Sequence, residues 1–250
     1  MQVGLIGAGN MARALARGWG DPVLVSDSGS GRAKALADEL GGEALDSNVA
    51  LADRADLVVL CHKPAQFPAV ADEIAGHAKA VASVLSGIDT ASLRAAYGVP
   101  VFRFTPNTPV EVRRGVICYA AEREADAALE AQVLELFGRL GTVVKVPETL
   151  MSAAGAVMGV GPAYQALLVE AQVDAAVRHG LAAGLASRLV AETMAGTAAL
   201  LHTRDYDTLA VRREVASPGG TTARGLAALE RGGVRPAFQD AMDAVVGSGL

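Results

Sequence analysis

The sequence predicts an α/β domain with a mostly parallel sheet, followed by an all-helical domain. Three observations predict it. Seven short β-branched runs alternate with helical patterns up to about residue 148. A glycine-rich turn directly follows the first of those runs. From Glu148 onward only helical spacing of apolar residues remains.

The strand runs are Val3–Ile6, Val23–Ser26, Leu57–Cys61, Val81–Leu85, Val101–Phe104, Val116–Tyr119 and Val143–Val146. They read as continuous apolar stretches rather than alternating ones, as strands covered by helices on both faces do. In the second half, helical spacing covers Leu150–Met158, Ala163–His179, Ala186–His202 and Gly225–Arg231. Pro162 stands where a first helical turn accepts proline, and Gly180 just past a helix end. The expected division is 1–148 and 149–250, near Pro147. About 100 residues of alanine-rich helix make a thin core alone, so these helices are expected to pack against a second subunit.

Composition narrows the function. The chain has 250 residues, is 51% hydrophobic and carries a net charge of -5, with no cluster of Lys and Arg. Nucleic acid and anionic membrane surfaces are therefore not its expected partners. Cys61 and Cys118 are too few and too isolated for a disulfide framework, which fits a reducing cytoplasm. No basic leader, cleavable stretch or uninterrupted apolar span of bilayer length is apparent. His62, His77, His179 and His202 have no paired spacing, and neither cysteine belongs to a Cys-x-x-Cys pair, so no metal site is expected. No Gly-x-Ser-x-Gly elbow or Walker-type lysine loop supports a hydrolase or nucleotidase.

The turn Gly7-Ala8-Gly9-Asn10-Met11-Ala12 follows the first strand and opens a helix running through Ala16. Gly7 permits the tight turn, Gly9 lets the backbone approach a pyrophosphate, and Ala12 allows close helix packing. Asp27 lies twenty positions after Gly7 at the end of the second strand run, where a carboxylate would bind the ribose hydroxyls of NAD. Ser26, Ser28, Ser30 and Arg32 in the same loop are equipped to hold the extra phosphate of NADP. Asp27 thus favours NAD and those hydroxyls and Arg32 favour NADP, so both cofactors remain open; the alternative reading is that Asp27 merely caps its own loop. The domain is thus read as Rossmann-type and the protein as an NAD(P)-dependent oxidoreductase.

A second motif, Ala216-Ser217-Pro218-Gly219-Gly220-Thr221-Thr222, precedes the helical run Ala223–Glu230. Its glycines let the N–H groups of Gly220, Thr221 and Thr222 converge at a helix N-terminus, an arrangement sized for a carboxylate or phosphate. An ordinary capped loop between helices has the same composition.

At these residues the sequence resembles the pyrroline-5-carboxylate reductases. The likeness runs in order through Gly7–Met11, Lys63-Pro64, Pro106-Asn107-Thr108-Pro109, Gly159–Tyr164 and Val215–Thr222 with Leu226, Leu229 and Glu230, nearly the whole chain. The resemblance implies reduction of a cyclic imine with NADPH or NADH, completing proline synthesis. Ile6, Gly7, Gly9, Asn10 and Met11 would then hold the pyrophosphate, with Ser26, Asp27, Ser28 and Asn48 around the adenosine. Cys61, His62, Lys63, Pro64, Ser86 and Gly87 would border the nicotinamide. Ser217, Gly219, Gly220, Thr221 and Thr222 would bind the substrate, the Thr222 hydroxyl reaching the imine nitrogen as the catalytic contact. It also implies a homodimer through the helical domain; dimers and decamers both fit.

Asp27, Val160, Thr105 and His62 depart from the family pattern, where a hydroxyl or small residue, Ser, Met and an apolar residue are usual. Rival readings are a reductase of another cyclic imine, a β-hydroxyacid dehydrogenase and a non-catalytic NAD(P)-binding sensor. The dehydrogenases resemble one another in a catalytic lysine on the second domain, and here no lysine follows Lys145.

Overall fold

The structure is a computed structural model that describes residues 1–120 and 126–247. By its internal contacts the chain divides into two compact units, Met1–Pro162 and Ala163–Ser248. The last three positions of the expected 149–250 domain lie outside the described residues.

The first unit is built on one sheet. Its strands are β1 (Val3–Ile6), β2 (Leu24–Ser26), β3 (Glu43–Ala44), β4 (Leu57–Leu60), β5 (Val81–Ser83), β6 (Val101–Pro106), β7 (Gly115–Ala120) and β8 (Gly141–Val146). Its helices are α1 (Asn10–Trp19), α2 (Arg32–Leu40), α3 (Asn48–Arg54), α4 (Phe67–Ile74), α5 (Thr90–Tyr97), α6 (Ala127–Gly138) and α7 (Met151–Met158). The strand order is β3-β2-β1-β4-β5-β6-β7-β8. Every pairing is parallel except β6 with β7. The mostly parallel sheet expected from the apolar runs is therefore present, with one strand, β3, that those runs do not include.

Neighbouring residues on each strand supply opposite faces. Leu5, Val25, Val59 and Phe102 enter one buried cluster, while Ile6, Leu24, Val58 and Val101 enter another. Both faces of the central strands are thus covered, which is why β1 and β4 carry no polar side chain and are buried at every position. Phe104 stacks between Tyr119 and Phe137, and Trp19 meets Phe137 edge-on at 5.7 Å. The Trp19 indole N–H donates to the Leu136 carbonyl at 3.0 Å, so its burial leaves no unmet donor.

The second unit is helical throughout its described residues: α8 (Gly161–Arg178, its first two residues in the first unit), α9 (Ala183–His202), α10 (Thr208–Val215), α11 (Thr221–Arg231) and α12 (Val234–Val246). Gly180 (φ 94°) ends α8 with the Leu181 N–H donating to the Ala176 carbonyl, the glycine-terminated helix end expected. Among the described residues of α8 to α12, Ala186 is the one that is buried, while Leu167, Leu185 and Leu189 are at least half exposed. These helices do not enclose a core of their own.

One expectation needs correction. The helical run Glu148–Arg178 is, by length and composition, long and apolar enough to cross a membrane. Read as separate stretches before and after Gly159-Val160-Gly161, it looked too short. Gly159 and Val160 part α7 from α8, but Gly159 has no left-handed backbone and keeps helical angles, so the run passes through the junction.

Candidate active site

The strand order reverses between β1 and β4, and a cleft of about 440 Å³ opens at their carboxyl ends. This is where an open α/β sheet places a ligand. One wall is the β1–α1 turn, Ile6 to Met11. Gly7 has φ 102°, its N–H donates to the Ser26 carbonyl at 2.8 Å, and the Cys61 N–H donates to the Ile6 carbonyl at 2.8 Å. A Cβ on Gly7 would lie 2.8 Å from the Cys61 carbonyl carbon and the His62 nitrogen, so the two loops can touch only across glycine. Gly9 is extended, caps α1 without a side chain and has open space where a Cβ would be. The first-turn N–H groups of α1 therefore await an outside acceptor, and the cradle fits a dinucleotide pyrophosphate.

At the β2 end the cleft is lined by Asp27, Ser28, Ser30, Arg32 and Asn48. Asp27 accepts from the Gly29 N–H at 2.9 Å, from the Ala33 N–H at 3.2 Å and from the Ser30 hydroxyl. The Ser30 hydrogen bond, with those backbone donors, holds its carboxyl below the usual carboxylate range. Ser26 is not on the wall. It is buried in β2, and its hydroxyl donates to Asn48 Oδ1 at 2.7 Å, because the third residue of that strand faces the core side of α3. It acts on the cleft through Asn48, whose amide also donates to Glu73 at 2.7 Å.

At the β4 end stand Cys61, His62, Lys63, Pro64 and Gln66, and at the β5 end Val84, Leu85 and Ser86. Desolvation pushes the Cys61 thiol up to about 12, so it stays protonated. His62 Nδ1 lies 2.9 Å from the Lys63 carbonyl and so carries the proton, while Nε2 is buried without a partner among the described residues. Burial lowers its pKa, which makes it a neutral imidazole at pH 7 rather than a proton source.

Gly87 does not line this cleft but an adjoining cavity of about 240 Å³, which shares Ser86 with it. Arg103, Thr105, Met151 and Val160 line the same cavity. Arg103 pairs with Glu148, which also accepts from the Thr90 hydroxyl at 2.7 Å. Sequence reasoning missed both partners. A cation inside the apolar run Val101-Phe102-Arg103-Phe104 was the available signal, since a charge buried on a strand requires a counter-charge.

The Ser217–Thr222 loop lies in the second unit. The Gly220 N–H donates to the Ser217 carbonyl at 3.0 Å, Gly219 has φ 70°, and Gly220 caps α11 without a side chain. Thr221 and Thr222 occupy the first turn of α11 with their N–H groups open, and Ser217 is exposed beside them. Arg224 donates to the Gly219 carbonyl at 2.8 Å and holds the turn closed.

Known proteins are similar over the whole length. A pyrroline-5-carboxylate reductase of Thermus thermophilus is 37% identical over 259 residues, covering 100% of this chain and 97% of its own. The chain belongs to the pyrroline-5-carboxylate reductase family. The family described as pyrroline-5-carboxylate reductase dimerisation matches residues 148–248, and that described as NADP oxidoreductase, coenzyme F420-dependent, matches residues 2–87. The fold agrees with solved reductases. The 1-pyrroline-5-carboxylate reductase of Streptococcus pyogenes superposes with a TM-score of 0.90 at 28% identity, covering 100% of this chain and 98% of the other. The Plasmodium falciparum enzyme, solved with NADP bound, superposes with a TM-score of 0.87 at 26% identity, covering 100% and 97%. The five motifs thus mark a true relationship, and the helical region is a homo-oligomerisation domain of this family. The apolar run Glu148–Arg178 falls inside it.

Proposed function

We infer that this protein is an NAD(P)H-dependent oxidoreductase that reduces 1-pyrroline-5-carboxylate to L-proline, the last step of proline biosynthesis. The observation that carries this reading is full-length membership of the reductase family together with a glycine-lined cleft at the strand-order reversal.

When bound, the nicotinamide supplies the hydride. Gly7, Gly9, Asn10 and Met11 hold the pyrophosphate through the open N-terminus of α1; Asp27, Ser28 and Asn48 border the adenosine. Cys61, His62, Lys63, Pro64 and Ser86 wall the nicotinamide side. Ser217, Gly219, Gly220, Thr221 and Thr222 anchor the substrate carboxylate and ring, and Thr222 hydrogen-bonds the imine nitrogen. A protonated imine is already electrophilic at carbon, so the hydride completes the amine without a further acid. That accords with a cleft whose His62 is neutral and whose Cys61 is a thiol. The chain's contribution is orientation.

Residues 1–148 serve as the dinucleotide-binding part and 149–250 as the substrate and dimerisation part. The exposed leucines of α8 and α9 support a homodimer, since apolar helices without their own core need a partner. Free Cys61 and Cys118 fit the cytoplasm. One observation favours a second reading, reduction of another cyclic imine: Thr105 and Val160, the two departures in the expected pocket, meet in the cavity beside Ser86.

The test is oxidation of NADPH and of NADH, separately, by purified protein with pyrroline-5-carboxylate. Rapid oxidation of either is expected. Cofactor binding without oxidation, restored by a larger cyclic imine, would support the second reading; none with any imine would leave a cofactor-binding sensor.

A further inference from the structure

The loop between β2 and α2 is built around one carboxylate. Left-handed Gly29 (φ 84°) and Gly31 (φ 76°) curl Asp27-Ser28-Gly29-Ser30-Gly31-Arg32 back on itself. That curl carries the Gly29 and Ala33 N–H groups and the Ser30 hydroxyl onto the two oxygens of Asp27. Ala33 is the second residue of α2, and Gly31, which caps that helix, has no side chain to offer. Asp27 is therefore the anion at the N-terminus of α2, and it lines the cofactor cleft.

Resting on the reductase reading above, we propose that Asp27 makes this chain select NADH over NADPH. Two physical effects act together. Three donors of this loop that could hold a 2′-phosphate, the Ser30 hydroxyl and the Gly29 and Ala33 N–H groups, are already given to a carboxylate of the chain, which leaves the Ser28 hydroxyl and Arg32. That carboxylate also presents a negative charge fixed by three hydrogen bonds, which repels a dianion and accepts from a ribose hydroxyl. Arg32 opposes it as an exposed cation without an ion pair among the described residues, on a long side chain that water screens and entropy disperses. A fixed charge outweighs a mobile one at the same rim.

The experiment titrates NADH and NADPH into the full-length protein and follows nicotinamide fluorescence, so that binding is read without turnover. NADH is expected to bind at least about ten-fold tighter, a difference of roughly 1.4 kcal/mol. Asp27→Asn, which keeps one acceptor oxygen and removes the charge, should bring the two dissociation constants within about three-fold of each other by strengthening NADPH. Because loop repacking in the variant could alter both affinities, the wild-type protein supplies an independent arm. Raising ionic strength from about 0.02 to 0.5 M should narrow its gap, since screening shortens the reach of the repulsion. Tighter NADPH binding by the wild type, or a gap indifferent to both charge removal and salt, overturns the proposal. Turnover with pyrroline-5-carboxylate is read on the same samples. Its absence alongside the expected affinity ratio counts against the reductase reading and leaves the selection by Asp27 supported.

Discussion

Replacing Gly7 and Gly9 separately by alanine should divide stability from cofactor binding. At Gly7 the added methyl meets two obstacles. The backbone angle of 102° is one that L residues avoid, at a cost of about 1–3 kcal/mol. Its Cβ would also lie 2.8 Å from backbone atoms of Cys61 and His62, and the strand hydrogen bonds on both sides, each 2.8 Å, block retreat. Overpacking of this kind costs about 1–3 kcal/mol more. A total of roughly 2–6 kcal/mol is a large part of a domain's stability of about 5–15 kcal/mol. At Gly9 the angle is ordinary and nothing lies within 4 Å, so Gly9→Ala should change stability by less than about 0.5 kcal/mol. Its methyl would stand where a pyrophosphate must approach the α1 amides, weakening cofactor binding by about ten-fold or more. Urea unfolding at one fixed protein concentration, with NADH and NADPH titrations on the same samples, measures both. A Gly7→Ala protein as stable as wild type, or a Gly9→Ala protein with intact affinity, would refute the reasoning.

Three further outcomes are expected. Thr222→Ala should lower turnover by about ten- to a hundred-fold, the worth of a hydrogen bond to a charged group, with the melting temperature nearly unchanged because Gly220 caps α11. Steady-state kinetics on the folded variant decide it, and unaltered kcat and KM would remove Thr222 from the mechanism. Leu185→Glu with Leu189→Glu, on residues 53% and 50% exposed on one face of α9, should dissociate the assembly, since each leucine buried at a subunit contact contributes about 1.5–3 kcal/mol; sedimentation velocity reads the change. His62 has a lowered pKa in the fold, so below about pH 6.5 the unfolded chain takes up a proton that the folded one refuses, and stability falls with pH. His62→Gln should therefore lose less thermal stability than wild type between pH 7.5 and 5.5.

Several features were legible because their signals are local. The strand runs Val3–Ile6 and Leu57–Cys61 and the Gly7 turn between strand and helix needed only neighbouring residues to be read, and so did the Gly180 helix end. Others were not. Strand β3 is two residues long, Glu43 and Ala44, and exists because β2 offers it an edge. Helix α10 is polar around Arg212, Arg213 and Glu214, which hid its period, although Asp207 caps it by accepting from the Leu209 and Ala210 N–H groups. The departures Asp27 and His62 were visible as residue types, but not what they bond to.

By itself, the sequence determined the α/β architecture, the helical second half, the glycine cradle and the family. The first three rest on backbone preference and apolar period, which act over a few residues; the family rests on the resemblance of five motifs in order. Tertiary structure alone decided that Ser26 turns to Asn48 instead of the cleft, that Gly87 belongs to a second cavity with Thr105 and Val160, and that Glu148 answers Arg103. The first and last depend on groups 22 to 58 residues apart whose polar atoms must find partners once water is excluded, the second on segments up to 73 residues apart, and only the folded chain brings them within reach.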